Sequence, residues 1–193
     1  MTGFEFIFAL YALILGFSLV ALLGGLGRAL ELSFARDADT TQDSFRVGWL
    51  TPLMAGFVML DLMSFWVFAW TVRDLLSVTP ATLLGVMGFA SAYYLAARLV
   101  FPEHPERFAD LDTHFFRVRR VIYLLLIALV AVQWSYLLTL EPLREALLNP
   151  MSVGMTLLFV ALMLTGAFMK SRLWSAVILG GLIARYVLLY LVI

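Results

Sequence analysis

Long apolar stretches, separated by short clusters of charged residues or proline, dominate the pattern along this chain of 193 residues. Six of them reach the length of about 20 residues that a helix needs to cross the hydrocarbon core of a bilayer. They run approximately over residues 4–26, 49–72, 79–99, 121–140, 151–169 and 173–193. A helix satisfies its own backbone hydrogen bonds, as a segment in hydrocarbon must. The pattern therefore predicts an all-α integral membrane protein, folded as one domain of six transmembrane helices with short loops.

Two of the predicted helices carry clear start signals. Thr79 precedes Pro80, and Asn149 precedes Pro150. A threonine or asparagine side chain can accept a hydrogen bond from the first turn, and proline at the first helical position lacks only a donor that would be unpaired anyway. We therefore expect helices to begin at these two prolines.

Lysine and arginine collect in alternate connections between the predicted helices. The connections after the first, third and fifth spans hold Arg28, Arg36, Arg46, Arg98, Arg107, Arg117, Arg119, Arg120, Lys170 and Arg172. The other two connections hold Arg73 and Arg144. Because basic residues near span ends stay in the cytoplasm, the pattern predicts a multi-pass protein of a bacterial-type inner membrane. Both termini are then expected on the periplasmic or extracellular side.

Composition agrees with lipid as the solvent. Apolar residues make up 63% of the chain and charged residues 13%, with a formal net charge of zero. The mean hydropathy is +0.99. Such a chain has no basic surface for binding phosphates, so nucleic acid is not an expected partner. Membrane lipid is the expected partner, with another membrane protein or a second copy of the chain as alternatives.

Two ionisable residues interrupt spans that otherwise lack charge, namely Asp61 in the second span and Arg185 in the sixth. One such group at the centre of a helix in lipid costs about 2.5–3.5 kcal/mol on insertion scales, so both are expected to face inward. Each lies about a dozen residues, or about 18 Å, from the cytoplasmic start of its span. We therefore predict an intramembrane polar centre in which Asp61 pairs with Arg185, Ser64 donates to the carboxylate and Gln133 reaches the same point.

Three interpretations of this centre are open. A buried ion pair can serve only to set helix register. Intramembrane charges also mark ion or proton routes, in which case Asp61 takes up and releases the cation. In the third interpretation the two residues never meet, and Arg185 extends toward a headgroup.

Small residues recur at spacings of three and four in several spans. Such spacing is typical of close helix packing, within one chain or between copies. The positions concerned are Ala12, Gly16, Gly24, Ala81, Gly85, Gly88, Ala92, Ala176, Gly180 and Ala184.

The connection between the third and fourth spans combines both histidines, several acids and a basic cluster. We expect an interfacial segment in which Arg117, Arg119 and Arg120 contact anionic lipid headgroups. Its apolar residues, Phe108, Leu111, Phe115 and Phe116, are expected to enter the headgroup region. Asp110 and His114, four residues apart, could share a metal ion on a helix face, but we favour the interfacial segment. No metal or other cofactor is expected.

The predicted spans contain few residues of the types that catalytic sites use. No histidine lies in a predicted span, and Asp61 is the one carboxylate at midspan depth. A serine protease within the membrane would need a histidine in a span, and an aspartyl protease would need a second carboxylate at the depth of Asp61. We therefore expect no enzyme, but a structural or accessory protein that binds lipid or another membrane protein. The alternative is a small ion or proton channel or transporter that uses the Asp61–Arg185 centre.

Overall fold

The computed structural model describes residues 3–38 and 46–192, and this part of the chain is helical almost throughout. Its helices are α1 (Gly3–Ala38), α2 (Leu50–Thr71), α3 (Pro80–Val100), α4 (Leu111–Leu137), α5 (Glu141–Leu147), α6 (Pro150–Phe168) and α7 (Arg172–Val192). A single 3-10 turn, Pro105–Arg107, separates α3 from α4. Helices α1, α2, α3, α6 and α7 are long and apolar enough to cross a membrane. The fold is therefore an all-α bundle of the kind that membrane proteins form.

Helix α4 differs from the prediction. The predicted span at 121–140 falls on α4, which is not among the five apolar helices. This helix begins already at Leu111, because the Asp110 side chain caps it by accepting a hydrogen bond from the Asp112 amide at 2.9 Å. Most of the segment predicted to be interfacial is thus the first part of α4 itself. The short helix α5 in the next connection was not predicted.

The two proline-marked helix starts are confirmed. Thr79 Oγ1 accepts a hydrogen bond from the Thr82 amide at 3.1 Å, and Pro80 opens α3. Asn149 Oδ1 accepts one from the Met151 amide at 3.1 Å, at the start of α6. Each cap satisfies one backbone donor that a helix end leaves unpaired.

Helix α2 lies at the centre of the bundle, in contact with α1, α3, α4 and α7. Around it, α1 packs on α3, α3 on α4, α4 on α6 and α6 on α7. The largest side chains of the core are fully buried: Tyr93, Tyr123, Phe57, Phe115, Leu15, Leu22, Leu50, Met54, Leu111, Ile122, Leu126 and Met163. Asp61 on α2 therefore sits where neighbouring helices can surround it.

The glycines of the predicted small-residue set pack less closely than their spacing predicts. A side-chain carbon placed on Gly16, Gly24, Gly85, Gly88 or Gly180 would meet nothing within 4 Å. Gly25 is the counterexample, since a carbon added there would lie 2.6 Å from the ring of Phe101 at the end of α3. Packing between copies of the chain stays a prediction for the open glycines.

Several helix ends meet at one end of the bundle, which we call the basic end because it carries Arg46, Arg98, Arg117, Arg119, Arg120, Lys170 and Arg172. The backbone of Arg46 pairs with the strand-like segment before α4, donating to the Ala109 carbonyl at 3.0 Å and accepting from the Leu111 amide at 3.1 Å. Arg172, which opens α7, forms a 3.0 Å salt bridge with Asp110. These contacts bring three predicted cytoplasmic connections together.

The start of α2 is fastened to the start of α4 through Asp112. This largely buried carboxylate accepts a hydrogen bond from the Leu50 amide at 3.0 Å, at the positive end of the α2 dipole. Gly48 makes room for it with a φ of +65°, in the left-handed region that favours glycine. A side-chain carbon on Gly48 would lie 2.5 Å from Asp112 Cγ. Burial raises the pKa of Asp112, and the Leu50 amide opposes this shift.

Candidate functional site

Asp61 is a carboxylic acid in the middle of the bundle, with only 1% of its surface exposed. The Tyr186 hydroxyl on α7 donates a hydrogen bond to Asp61 Oδ1. Asp61 Oδ2 is buried and has no hydrogen-bond partner among residues 3–38 and 46–192. One half of the carboxyl group is therefore satisfied, and the other half depends on electrostatic neighbours.

Tyrosines supply those neighbours. Tyr11 on α1, Tyr93 on α3 and Tyr190 on α7 all interact electrostatically with Asp61. Tyr93 is fully buried and donates to the Val58 carbonyl at 2.5 Å. Tyrosines from α1, α3 and α7 thus lie close to the carboxyl group, and the Tyr186 hydroxyl donates to it.

Arg185 lies near this centre but forms no salt bridge with Asp61 among the described residues, by a 4.0 Å limit on nitrogen–oxygen distance. Its guanidinium carbon lies 4.5 Å from the ring centre of Phe159 and 5.1 Å from that of Tyr186. The two charges do interact electrostatically. Tyr186, the next residue, points about 100° further round the helix and takes the carboxylate that was predicted for Arg185.

Ser64 and Gln133 also depart from their predicted places. The Ser64 hydroxyl donates to the backbone carbonyl of Asp61 at 2.8 Å, and not to its carboxylate. A helical serine commonly bonds back to the preceding turn in this way. Gln133 makes no hydrogen bond to Asp61 and lines a separate cavity. The polar centre therefore consists of Asp61, its tyrosines and Arg185.

A cavity of about 400 Å³ lies between α1, α2, α3 and α4, toward the end of the bundle opposite the basic end. Its walls are Phe4, Ile7, Phe8, Tyr11, Phe65, Phe68, Ala69, Val72, Leu76, Ala81, Thr82, Gly85, Val86, Phe89, Val132, Gln133 and Tyr136. The lining residues that are exposed all lie on α3 and α4, namely Ala81, Gly85, Val132 and Tyr136. The cavity is thus least enclosed between these two helices.

Tyr11 links the cavity to the polar centre, since it lines the cavity and interacts with Asp61. A second depression, formed by Phe4, Glu5, Phe8, Ala9, Trp70, Arg73 and Asp74, lies at the same end of the bundle. Neither of the two is lined by Asp61 or Arg185. The carboxyl group is therefore closed off from both.

The three arginines predicted at lipid headgroups divide into two kinds. Arg117 and Arg120 are exposed and lie over the rings of Phe108 and Phe168. Arg119 is turned inward, 3% exposed, and donates to the Gly166 carbonyl at 3.4 Å near the end of α6. Burial lowers the pKa of Arg119. Arg117 and Arg120 are therefore accessible to lipid headgroups, and the buried Arg119 is not.

Two of the apolar residues expected among headgroups are instead core residues. Leu111 and Phe115 have 0% and 2% of their surfaces exposed. The first part of α4 therefore packs inside the bundle, because its start is fastened to α2 and its Arg119 reaches α6.

The histidines serve separate structural contacts. His114 Nε2 lies 3.1 Å from the Leu99 carbonyl, which requires a proton on that nitrogen. Burial lowers the pKa of His114. His104 Nδ1 bonds to Glu106 at 3.0 Å on the surface. Within the described ranges, no three His, Asp or Glu side chains lie close enough together to hold a metal ion.

Sequence reasoning missed the tyrosines around Asp61 and the cavity. Tyrosine in a span is usually an interfacial anchor, and Tyr11, Tyr93 and Tyr186 were not distinguished from that class. Tyr186 follows Arg185 directly and so shares the predicted depth of Asp61, which is the signal that could have found it. A role for these features has to be argued from their own geometry, because no protein-family model, curated protein or solved structure matches the chain.

Proposed function

We propose that this chain is a non-enzymatic membrane protein that holds a lipid molecule in the cavity between α1, α2, α3 and α4. The observation that carries the proposal is the cavity itself: about 400 Å³, almost entirely apolar, and bordered by exposed residues of α3 and α4, between which we infer that it opens to the side. The buried polar centre supports binding over conduction, since Asp61 is 1% exposed and borders neither cavity.

The surroundings of the cavity favour lipid as its occupant. An apolar cavity offers water too few hydrogen bonds, so water gains little by entering. The walls lose dispersion contacts unless some molecule fills the space. The opening at Gly85 and Val132 faces the hydrocarbon in the proposed arrangement. Membrane lipid is therefore the apolar molecule next to the cavity that can enter it.

The proposed arrangement has six spans, with α4 as the sixth. Residues 121–137 of α4 carry no charge and pack between α3 and α6. The helices then alternate in direction, and the basic end faces the cytoplasm of a cell with a bacterial-type inner membrane. Both termini lie on the periplasmic or extracellular side.

Lipid retention by purified variants tests the proposal. Gly85→Leu places a side chain at the cavity rim, where nothing obstructs it within 4 Å. Gly88→Leu is the matched control, equally open, one turn away and outside the cavity. We expect the Gly85 variant to retain about tenfold less bound lipid by mass spectrometry, since overpacking costs about 1–3 kcal/mol. Equal retention by both variants would overturn the proposal.

A second candidate, an ion or proton route through the polar centre, is favoured by one observation. Asp61 Oδ2 is buried and lacks a hydrogen-bond partner within the described part of the chain, which leaves a carboxylate oxygen to take up a proton or cation, as intramembrane acids on ion routes do. Protein reconstituted in liposomes would then carry a proton or cation flux that Asp61→Asn changes and Glu103→Gln, on the surface, does not. No flux in the unmodified protein would exclude this candidate.

A further inference from the structure

We propose that the lipid held in the cavity is a quinone: a flat ring bearing carbonyl oxygens, attached to an apolar tail. This inference rests on the proposed function and goes beyond it by naming the ligand class. Three properties of the cavity carry it: its aromatic walls, the hydrogen-bonding side chains of Tyr11 and Gln133, and its lack of charge.

Seven of the seventeen residues that line the cavity are aromatic. They come from α1, α2, α3 and α4, so a flat ligand meets ring faces and edges from several directions: Phe4, Phe8, Tyr11, Phe65, Phe68, Phe89 and Tyr136. Phe65 and Phe89 already pack edge to face, with centres 5.0 Å apart. Offset stacking and edge contacts add about 0.5–1.5 kcal/mol per pair beyond burial. An acyl chain would gain burial here but no such ring contacts.

Four side chains that line the cavity carry hydrogen-bonding groups: Tyr11, Thr82, Gln133 and Tyr136. Thr82 already bonds to Thr79 and Tyr136 is 38% exposed, so we assign the ligand contacts to Tyr11 and Gln133. Tyr11 is 7% exposed, and its hydroxyl makes no hydrogen bond to another described residue. The Gln133 amide likewise has no partner among residues 3–38 and 46–192. A phenol and a primary amide both donate to carbonyl oxygen. Leaving such groups unpaired in an apolar site is costly, so a ligand with carbonyl acceptors gains from meeting them.

The lack of charge in the cavity disfavours a charged headgroup inside it, and the length of the cavity limits how much of a lipid it holds. None of the lining residues is charged, so a phosphate or carboxylate headgroup would enter without a counter-charge. Along α3 the lining runs from Ala81 to Phe89, or about 12 Å at 1.5 Å per residue. That length takes a ring and the first part of a tail. The rest of the tail leaves between Gly85 and Val132 into the bilayer.

Binding of decylubiquinone to the purified protein tests the ligand class. Trp66 and Trp70 report on it, because their rings lie 6.1 and 5.8 Å from that of Phe8 in the cavity wall. We expect saturable quenching of tryptophan fluorescence. Tyr11→Phe and Gln133→Leu should each raise Kd about fivefold, the effect of one lost hydrogen bond. Gly85→Leu should abolish saturable quenching, and Gly88→Leu should leave it unchanged.

A ligand without carbonyl groups separates the two proposals. Dodecylbenzene, which has a ring and a tail only, should compete weakly with decylubiquinone. If it competes equally well and neither Tyr11→Phe nor Gln133→Leu changes Kd, the quinone inference fails while lipid binding stands. If quenching is unsaturable and Gly85→Leu also retains normal lipid, the proposed function fails as well. Melting curves of each variant show whether it is still folded. Tyr11→Phe and Gln133→Leu remove different donors, so a change in Kd in either variant can be compared with the other.

Discussion

Replacing Gly48 by alanine tests the junction between α2 and α4. An L-residue in the left-handed region costs about 1–2 kcal/mol, and Gly48 has a φ of +65°. The added carbon would also lie 2.5 Å from Asp112 Cγ. Moving Asp112 aside sacrifices its hydrogen bond to the Leu50 amide, and hydrogen bonds to charged groups contribute about 1.5–3 kcal/mol. We expect Gly48→Ala to lower the free energy of unfolding by about 3–5 kcal/mol.

Thermal unfolding in detergent, followed by tryptophan fluorescence, measures this loss. For a chain of this size, 1 kcal/mol corresponds to about 2–4 °C in Tm, so we expect a fall of roughly 6–20 °C. Gly88→Ala is the control, since its added carbon meets nothing and alanine favours the helix. The cost of Gly48→Ala should shrink to the backbone contribution when Asp112 is alanine as well. An equal loss with and without the Asp112 carboxylate would refute the proposed clash.

Three further predictions concern the polar centre, the basic end and the topology. Tyr186→Phe removes the donor to the buried Asp61 carboxyl group and should cost about 1.5–3 kcal/mol in thermal unfolding; an unchanged Tm would show that this hydrogen bond adds nothing. His114 is half-buried, and this burial lowers its pKa, so the unfolded chain binds more protons, and stability should fall as pH drops below about 6.5. His114→Gln should flatten that dependence between pH 7.5 and 5, and an identical slope would contradict the assignment. Because the chain has no cysteine, single cysteines can map sides: an impermeant maleimide should label Asp74→Cys but not Glu103→Cys in intact cells, and the reverse pattern would invert the topology.

The helices could be predicted from the sequence because each follows from local properties of the chain. An apolar run of span length must be helical in lipid, and Thr79-Pro80 and Asn149-Pro150 carry their own caps. The start of α4 could not be read in the same way. It depends on the Asp110 cap and on the bond between Asp112 and Leu50, which joins residues far apart in the chain.

The polar centre was predictable in depth but not in partners. Counting residues from the span starts brings Asp61 and Arg185 to one level. A rotation of about 100° between consecutive residues decides whether Arg185 or Tyr186 faces the carboxylate, and that rotation depends on how α7 packs. The sequence carries no direct signal for it.

The cavity lay beyond sequence reasoning because it is formed by four helices together. Gly85 was assigned to close helix packing by its spacing from Gly88, yet a side chain at either position would meet nothing within 4 Å. The same small residue can allow two backbones to approach or leave an opening. Only the packing of α3 against α4 distinguishes the two.

Photo-crosslinking from inside the cavity tests the central claim most directly. A diazirine-bearing phenylalanine analogue at Phe89, in the cavity wall, should capture one class of lipid in native membranes, and decylubiquinone should displace it. The same analogue at Tyr94, which lies on α3 outside the cavity and is 37% exposed, should capture lipids in their bulk proportions without displacement. Adducts to protein alone at Phe89, or the same mixture of lipids at both positions, would contradict a lipid-binding cavity.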